Sequence, residues 1–158
     1  MGGKEHAGED FSLIENRFDE NVRLMMDHAI NPVKMIKRRG YSINELAKLI
    51  IEMSIPNIGE PDPRFDLIYI DGSHQASDVL LDATLSFQLL KLNGVLIFDD
   101  YNVIDETQTK FNIPKIAIDA FISVHENRIG TMVFNNDETN EMIPASDIYQ
   151  LYLKKLTE

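Results

Sequence analysis

The sequence lacks cysteine altogether, and it has no long hydrophobic run. Without cysteine the chain has no disulfide, no thiolate nucleophile and no cysteine-ligated metal. No apolar stretch approaches the roughly 18 residues that a membrane-spanning helix needs, and the polar N-terminus does not resemble a signal sequence. We therefore expect a cytoplasmic protein that has no membrane partner.

Positive charge is also scarce, with 15 Lys and Arg residues against 26 Asp and Glu residues and a formal net charge of -11. Such a surface repels the phosphates of nucleic acids and of anionic membranes, so we exclude nucleic acid as a partner. Small-molecule substrates and cations fit the charge better. The 158 residues, 44% of them apolar, are enough for one domain with a hydrophobic core.

The N-terminal part of the chain alternates helical and extended patterns. Residues 1–10 are polar and Gly-rich, which predicts a loose N-terminus. Residues 11–28 carry apolar side chains at helical spacing, and residues 33–36 form an apolar run of strand length. Ser42 followed three residues later by Glu45 matches a capping box, which predicts that a second helix begins there.

The middle of the chain has the clearest pattern. Phe65–Ile70 and residues 95–98 are apolar runs typical of strands buried on both faces of a sheet. Residues 75–91 between them have helical spacing, and Asn93-Gly94 tolerates a left-handed helix end. This strand-helix-strand unit predicts an α/β fold in which the two strands are adjacent and parallel.

The last third of the sequence predicts one helix and two strands. Pro114 suits the first turn of a helix, and residues 131–134 and 148–153 are two runs of strand length that could pair antiparallel. The sequence has no internal repeat and no convincing linker. We therefore predict a single domain over residues 11–158.

Acidic residues follow directly after both predicted central strands. Asp71 follows the first strand, and Asp99 and Asp100 follow the second, so parallel strands would bring all three to one edge of the sheet. Two carboxylates about 4 Å apart repel by about 4 kcal/mol at an effective dielectric near 20. A hard cation such as Mg²⁺ would offset that repulsion. The alternative is that these acids only form a turn and a solvated strand end.

His74 lies three residues after Asp71, at the start of the predicted crossover helix. There a histidine could face the acidic edge and accept a proton from a substrate hydroxyl. The alternative is a surface histidine with a local hydrogen bond. The residues alone do not decide between these two roles.

The segments FDLIYIDGSHQASDVLLDATLSFQLLK and GVLIFDDY resemble the second half of a class I S-adenosylmethionine-dependent methyltransferase. The similarity is to the branch of metal-dependent O-methyltransferases, and it extends over roughly residues 11 to 155. It implies a three-layer Rossmann-like sheet. It also implies O-methyl transfer to a small-molecule hydroxyl.

The resemblance assigns a role to each candidate residue. In that family Mg²⁺ is held at the positions of Asp71, Asp99 and Asp100. The base that deprotonates the hydroxyl stands at the position of His74. S-adenosylmethionine is contacted at the positions of Gly40, Tyr41, Ser42 and Asp71.

The sequence also departs from that family. It contains no G-x-G-x-G motif for the cofactor, and only ten residues precede the first predicted helix. We therefore expect an N-terminally truncated fold, with the third to seventh strands of the family. The alternative function is an inactive remnant that acts as a binding module or as half of a split enzyme, with a homodimer or a complementing chain as partner. A receiver-type phosphoryl-transfer domain also gathers acids, but the later strands lack its Lys and Ser or Thr.

Overall fold

The computed structural model describes residues 11–54, 61–103, 113–132 and 149–158. The chain divides into two compact units, residues 1–40 and 41–158, and each is described by itself. The prediction of one domain over residues 11–158 stays a prediction. The expected loose N-terminus, residues 1–10, lies outside the described residues.

The N-terminal unit contains one helix, α1 (Phe11–Asp27), one residue shorter than predicted. Lys37, in the segment that follows this helix, forms ion pairs with it. The Lys37 Nζ lies 2.6 Å from Asp19 Oδ1 and 2.8 Å from Glu15 Oε1. The strand predicted at residues 33–36 is wrong, since these residues have no regular structure. A strand needs a neighbour for its backbone groups, and none of the described strands pairs with this segment.

The second unit is built on a four-stranded sheet. Its strands are β1 (Phe65–Ile70), β2 (Leu90–Phe98), β3 (Ile129–Met132) and β4 (Leu151–Lys155), in the order β1-β2-β4-β3. β1 and β2 are parallel neighbours, as predicted, and β4 is antiparallel to both β2 and β3. The α/β class predicted from the sequence is confirmed.

Three helices accompany the sheet: α2 (Ser42–Met53), α3 (Ala76–Leu89) and α4 (Pro114–Val124). α3 is the crossover between the parallel strands, and α4 begins at Pro114 as predicted. Phe87 of α3 and Phe121 of α4 meet edge to face at 5.6 Å between ring centroids, and Phe98 of β2 lies 5.9 Å from Phe121. Through these buried rings both helices pack against one face of the sheet.

The start of α2 corrects the predicted capping box. Tyr41, not Ser42, is the N-cap residue, and no side chain caps the helix. Ser42 is the first helical residue, and its side chain is hydrogen-bonded to Asp82 of α3. The Ser42 hydroxyl donates to the buried carboxylate of Asp82, so Ser42 makes a tertiary contact from the first turn of α2 and does not cap the helix.

The end of α3 also differs from the prediction. The helix stops at Leu89, and the next residue, Leu90, is already extended and pairs with Phe65 of β1. Asn93 does adopt a left-handed conformation, with φ of 66°, but inside β2 rather than at the helix end. A Cβ on Gly94 would lie 2.9 Å from the backbone carbonyl oxygen of Lys91, which is too close, so this position favours glycine.

The final strands are shifted from their predicted bounds. β3 begins two residues before the predicted run and β4 ends two residues after it, and the two pair antiparallel as expected. Positions 133, 134 and 148 of the predicted runs lie outside the described residues. None of the helices in the described ranges has the length and hydropathy that a membrane crossing needs.

Candidate metal centre

The parallel pairing of β1 and β2 brings three acidic residues to one edge of the sheet. Asp71, Asp99 and Asp100 each offer a carboxylate oxygen, and these atoms lie within 4.8 Å of one another. The amide of Asp99 donates to the carbonyl of Ile70 at 3.0 Å, which holds the ends of the two strands together. The acids line a small pocket with backbone and apolar walls, formed by Ile70, Gly72, Ser73, Val79, Phe98 and Pro114.

The electrostatics of this pocket favour a proton or a cation. Partial burial raises the pKa of Asp71, and the charges of Asp99 and Asp100 raise it further, while His74 opposes them. Three converging carboxylates repel one another, so the arrangement is most stable when a positive charge is shared among them. The structure thus brings together the three acids that the sequence predicted.

His74 lies beside the same pocket. Its Nε2 atom is 2.8 Å from Oδ2 of Asp100, and both side chains are about one-third exposed (33% and 29%). The short loop between β1 and α3 carries His74 to the strand end, because α3 begins only at Ala76. The imidazole is therefore placed to orient one acid of the cluster.

Gln150 is a site residue that the sequence analysis missed. Its Nε2 donates to Asp99 Oδ1 at 3.1 Å and to the Tyr69 hydroxyl at 3.1 Å, and its Oε1 accepts from Tyr152 at 2.9 Å. Burial raises the pKa of Tyr69, and its hydrogen bond to Asp99 adds to that effect. Gln150 lies 51 residues from Asp99, so only the antiparallel pairing of β2 and β4 brings them together.

Asp100 has an unusual backbone conformation, with φ of 55°. The next residue, Tyr101, donates its amide to the carbonyl of Tyr149 at 2.8 Å, and its hydroxyl lies between Lys115 and Asp119 of α4. None of these contacts follows from local sequence spacing. They attach the residue after Asp100 to the segment just before β4 and to α4.

The predicted cofactor turn is divided between the two units. Gly40 ends the N-terminal unit, while Tyr41 and Ser42 begin the second. Ser42 is bonded to Asp82, and a Cβ on Gly72 would lie 3.6 Å from Asp82 Oδ2. Asp82 therefore contacts the start of α2 and lies near the loop that follows Asp71.

The acidic cluster fits a hard divalent cation. All three donor atoms are carboxylate oxygens, the ligands that Mg²⁺ and Mn²⁺ prefer, and they already lie within 4.8 Å of one another. His74 and Gln150 bind two of these acids from outside, as outer partners of metal ligands do. S-adenosylmethionine has a weaker fit, because the residues 1–158 contain no G-x-G-x-G motif.

Comparison with known proteins agrees with the fold. A family model described as a methyltransferase domain matches residues 4–101, which is more than half of the chain and includes the three acids. An uncharacterized protein of Acanthamoeba polyphaga mimivirus is 33% identical over 95 residues, which cover 60% of this chain and 36% of that protein. The chain thus matches about a third of that relative's length. By the family match, this chain belongs to the methyltransferase domain family.

Proposed function

We propose that the protein serves S-adenosylmethionine-dependent O-methyl transfer to a small-molecule hydroxyl, with Mg²⁺ held by Asp71, Asp99 and Asp100. The observation that carries this proposal is the clustering of three carboxylate oxygens within 4.8 Å in a member of a methyltransferase family. The net charge of -11 supports a small, uncharged or cationic acceptor over a nucleic acid. We place this activity in the cytoplasm.

The acids have a positioning role in this proposal. Mg²⁺ would supply a positive charge that holds a substrate oxygen and lowers the pKa of its hydroxyl. Asp99 is fixed by Gln150, and Asp100 by His74, so two of the three ligands are already oriented. The pKa of Asp71 is raised, so a neighbouring cation would stabilise its carboxylate.

His74 is the proposed proton acceptor. When its Nε2–H donates to Asp100, the ring nitrogen that accepts a proton is Nδ1. The carboxylate of Asp100 then stabilises the imidazolium that forms. S-adenosylmethionine would supply a methyl group on a sulfonium, which is already a good leaving group, so the chain contributes mainly the placement of the acceptor oxygen.

A second candidate is a binding module, or one half of a split enzyme that a complementing chain or a second copy completes. The observation that favours it is the lack of a G-x-G-x-G motif among residues 1–158. The match to only 36% of the mimivirus relative is consistent with it. Both candidates keep the acidic edge as the binding site.

Titration with Mn²⁺ tests the metal site, read as paramagnetic broadening of the amide resonances of the three acids and as a dissociation constant. We expect local broadening that Mg²⁺ competes away, and at least a tenfold weaker affinity in Asp71→Asn combined with Asp99→Asn. Asp66→Asn is the matched control, because Asp66 lies on β1, the strand that leads to Asp71, but bonds Lys91 outside the cluster. Unchanged broadening in the double variant would show that these acids are not the site.

A further inference from the structure

Three parts of Tyr101 make contacts: its hydroxyl, its ring and its backbone amide. Lys115 Nζ donates to the Tyr101 hydroxyl, and that hydroxyl donates to Asp119 Oδ1 at 2.8 Å. The ammonium of Lys115 also lies 3.9 Å from the centre of the Tyr101 ring. The backbone amide of Tyr101 donates to the carbonyl of Tyr149 at 2.8 Å.

Asp100 is the residue that these contacts constrain. Its φ of 55° is in the left-handed region, which residues other than glycine adopt infrequently, although Asp does so more readily than most. The contacts around Asp100 and Tyr101 therefore have to select this conformation over the commoner ones. The turn from Asp100 to Val103, closed by an amide-to-carbonyl bond of 3.2 Å, is the local part of that constraint.

The left-handed conformation has a consequence for the acidic cluster. The chain leaves the sheet at Asp100, and in this conformation its carboxylate is turned back to lie 2.8 Å from His74 and beside Asp71 and Asp99. An extended or right-handed Asp100 would direct its side chain elsewhere. The contacts that hold the backbone of residues 100 and 101 therefore determine the position of the Asp100 carboxylate, the third in the cluster.

We propose that Tyr101 is a positioning residue, which Lys115 and Asp119 anchor to α4 so that Asp100 is kept in the conformation that completes the cation site. This inference rests on the proposed metal site. The contacts favour the hydroxyl as the anchor, because it is bonded on both sides by charged groups.

Two variants remove the hydrogen bonds of the Tyr101 hydroxyl while keeping most of the surrounding packing. Tyr101→Phe removes the hydroxyl and keeps the ring, and Lys115→Met removes the ammonium and keeps an apolar side chain. Lys48→Met is the matched control, because Lys48 also pairs with an acid on its own helix, Glu45, but on α2. Two measurements are made on each variant: the Mn²⁺ dissociation constant, and the intraresidue amide-to-Hα nuclear Overhauser effect of Asp100, which is strong only in the left-handed conformation.

We expect Tyr101→Phe and Lys115→Met to weaken Mn²⁺ binding about tenfold, the range found for outer partners of metal ligands. The Asp100 Overhauser effect should weaken in both, and Lys48→Met should match the wild type in both measurements. An unchanged Asp100 Overhauser effect in Tyr101→Phe and Lys115→Met overturns the inference, whatever the metal affinity.

The same design separates this inference from the proposed function. If the wild-type protein does not bind Mn²⁺, the metal proposal fails, and the Overhauser effect of Asp100 alone decides whether Tyr101 positions it. If Tyr101→Phe does not fold, the result for Lys115→Met decides whether Tyr101 positions Asp100. The Lys115 side chain is 43% exposed, so its replacement disturbs the core less.

Discussion

The Nε2 atom of His74 lies 2.8 Å from Oδ2 of Asp100, although 26 residues separate them in the sequence. The contact connects the loop after β1 with the end of β2. It therefore joins the proposed base to one of the proposed metal ligands. Two roles follow for the same imidazole: accepting a proton and orienting a carboxylate.

Removing the His74 imidazole should weaken cation binding. We expect His74→Ala to lower Mn²⁺ affinity about tenfold, because an outer partner of a metal ligand is lost. His74→Gln keeps a donor at a similar reach and should recover part of the affinity. The control is His28→Ala, since the His28 ring bonds only the Leu24 carbonyl of its own helix among the contacts described. Equal affinities in His74→Ala and wild type would contradict the orienting role.

Lys155 should contribute strongly to stability although it is a charged residue in the core. It is 2% exposed, and its Nζ donates to the carbonyls of Leu90 at 3.0 Å and Phe87 at 3.3 Å, at the end of α3. Lys155→Met leaves these carbonyls without that donor, which should cost about 1–3 kcal/mol in the free energy of unfolding.

Urea unfolding measures the effect of Lys155→Met, with Lys154→Met as the control. Lys154 is the preceding residue of β4, so its side chain leaves the strand on the opposite face. We expect the control to change the unfolding midpoint little. A Lys155→Met protein as stable as the wild type would show that the buried ammonium does not cap α3.

Asp82 should make stability depend on pH. Burial raises its pKa above the ordinary value of 3.8, Asp78 raises it further, and the Ser42 hydroxyl opposes them. Between the unfolded and the native pKa the native state binds more protons, so this group adds stability as the pH falls through that window. At neutral pH the buried charge of Asp82 instead lowers the free energy of unfolding.

Asp82→Asn removes that charge and keeps an acceptor for Ser42. We expect its melting temperature to be equal to or above that of the wild type at pH 7. The difference between the two proteins should then shift in favour of the wild type as the pH falls towards 4. Asp66→Asn is the control, because the Asp66 side chain is 86% exposed on β1 and pairs with Lys91. A constant difference between Asp82→Asn and wild type at every pH would contradict a raised Asp82 pKa.

If the second candidate function is right, the 158-residue chain by itself should not bind S-adenosylmethionine at sub-millimolar concentration in a calorimetric titration. The cofactor contacts predicted from the sequence at Tyr41, Ser42 and Asp71 would then be only partial, and association costs about 4 kcal/mol or more in lost freedom. A complementing chain that carries a G-x-G-x-G motif should restore binding. Mn²⁺ binding by the same sample serves as the control for a folded site, and a micromolar dissociation constant for S-adenosylmethionine would refute the prediction.

The unit from β1 through α3 to β2 could be predicted from the sequence because its signals are local. Apolar runs of strand length, helical spacing between them and acids at both strand ends are all visible within 37 consecutive residues, 65–101. The right-handed parallel crossover then places Asp71 near Asp99 without any further information. His74 lies near Asp71 and Asp100 because the loop that carries it is short.

The same local signals failed where a distant partner decides the structure. The apolar run at residues 33–36 has strand composition, yet no described strand accepts its backbone. Ser42 and Glu45 match a capping box, yet the hydroxyl of Ser42 goes to Asp82. In both cases the pattern states what the segment could form, and tertiary contacts determine what it does form.

The sequence by itself determined the α/β class, the parallel pair and the meeting of three acids at one edge, because periodicity and chain direction are enough to fix them. Only the tertiary structure decided that Gln150 holds Asp99, that Tyr101 is anchored to α4 and that Lys155 caps α3. These contacts join residues 14 to 68 positions apart. They depend on strand register and on side-chain rotamers, which are set when the elements pack together and are not encoded in the spacing of any single segment.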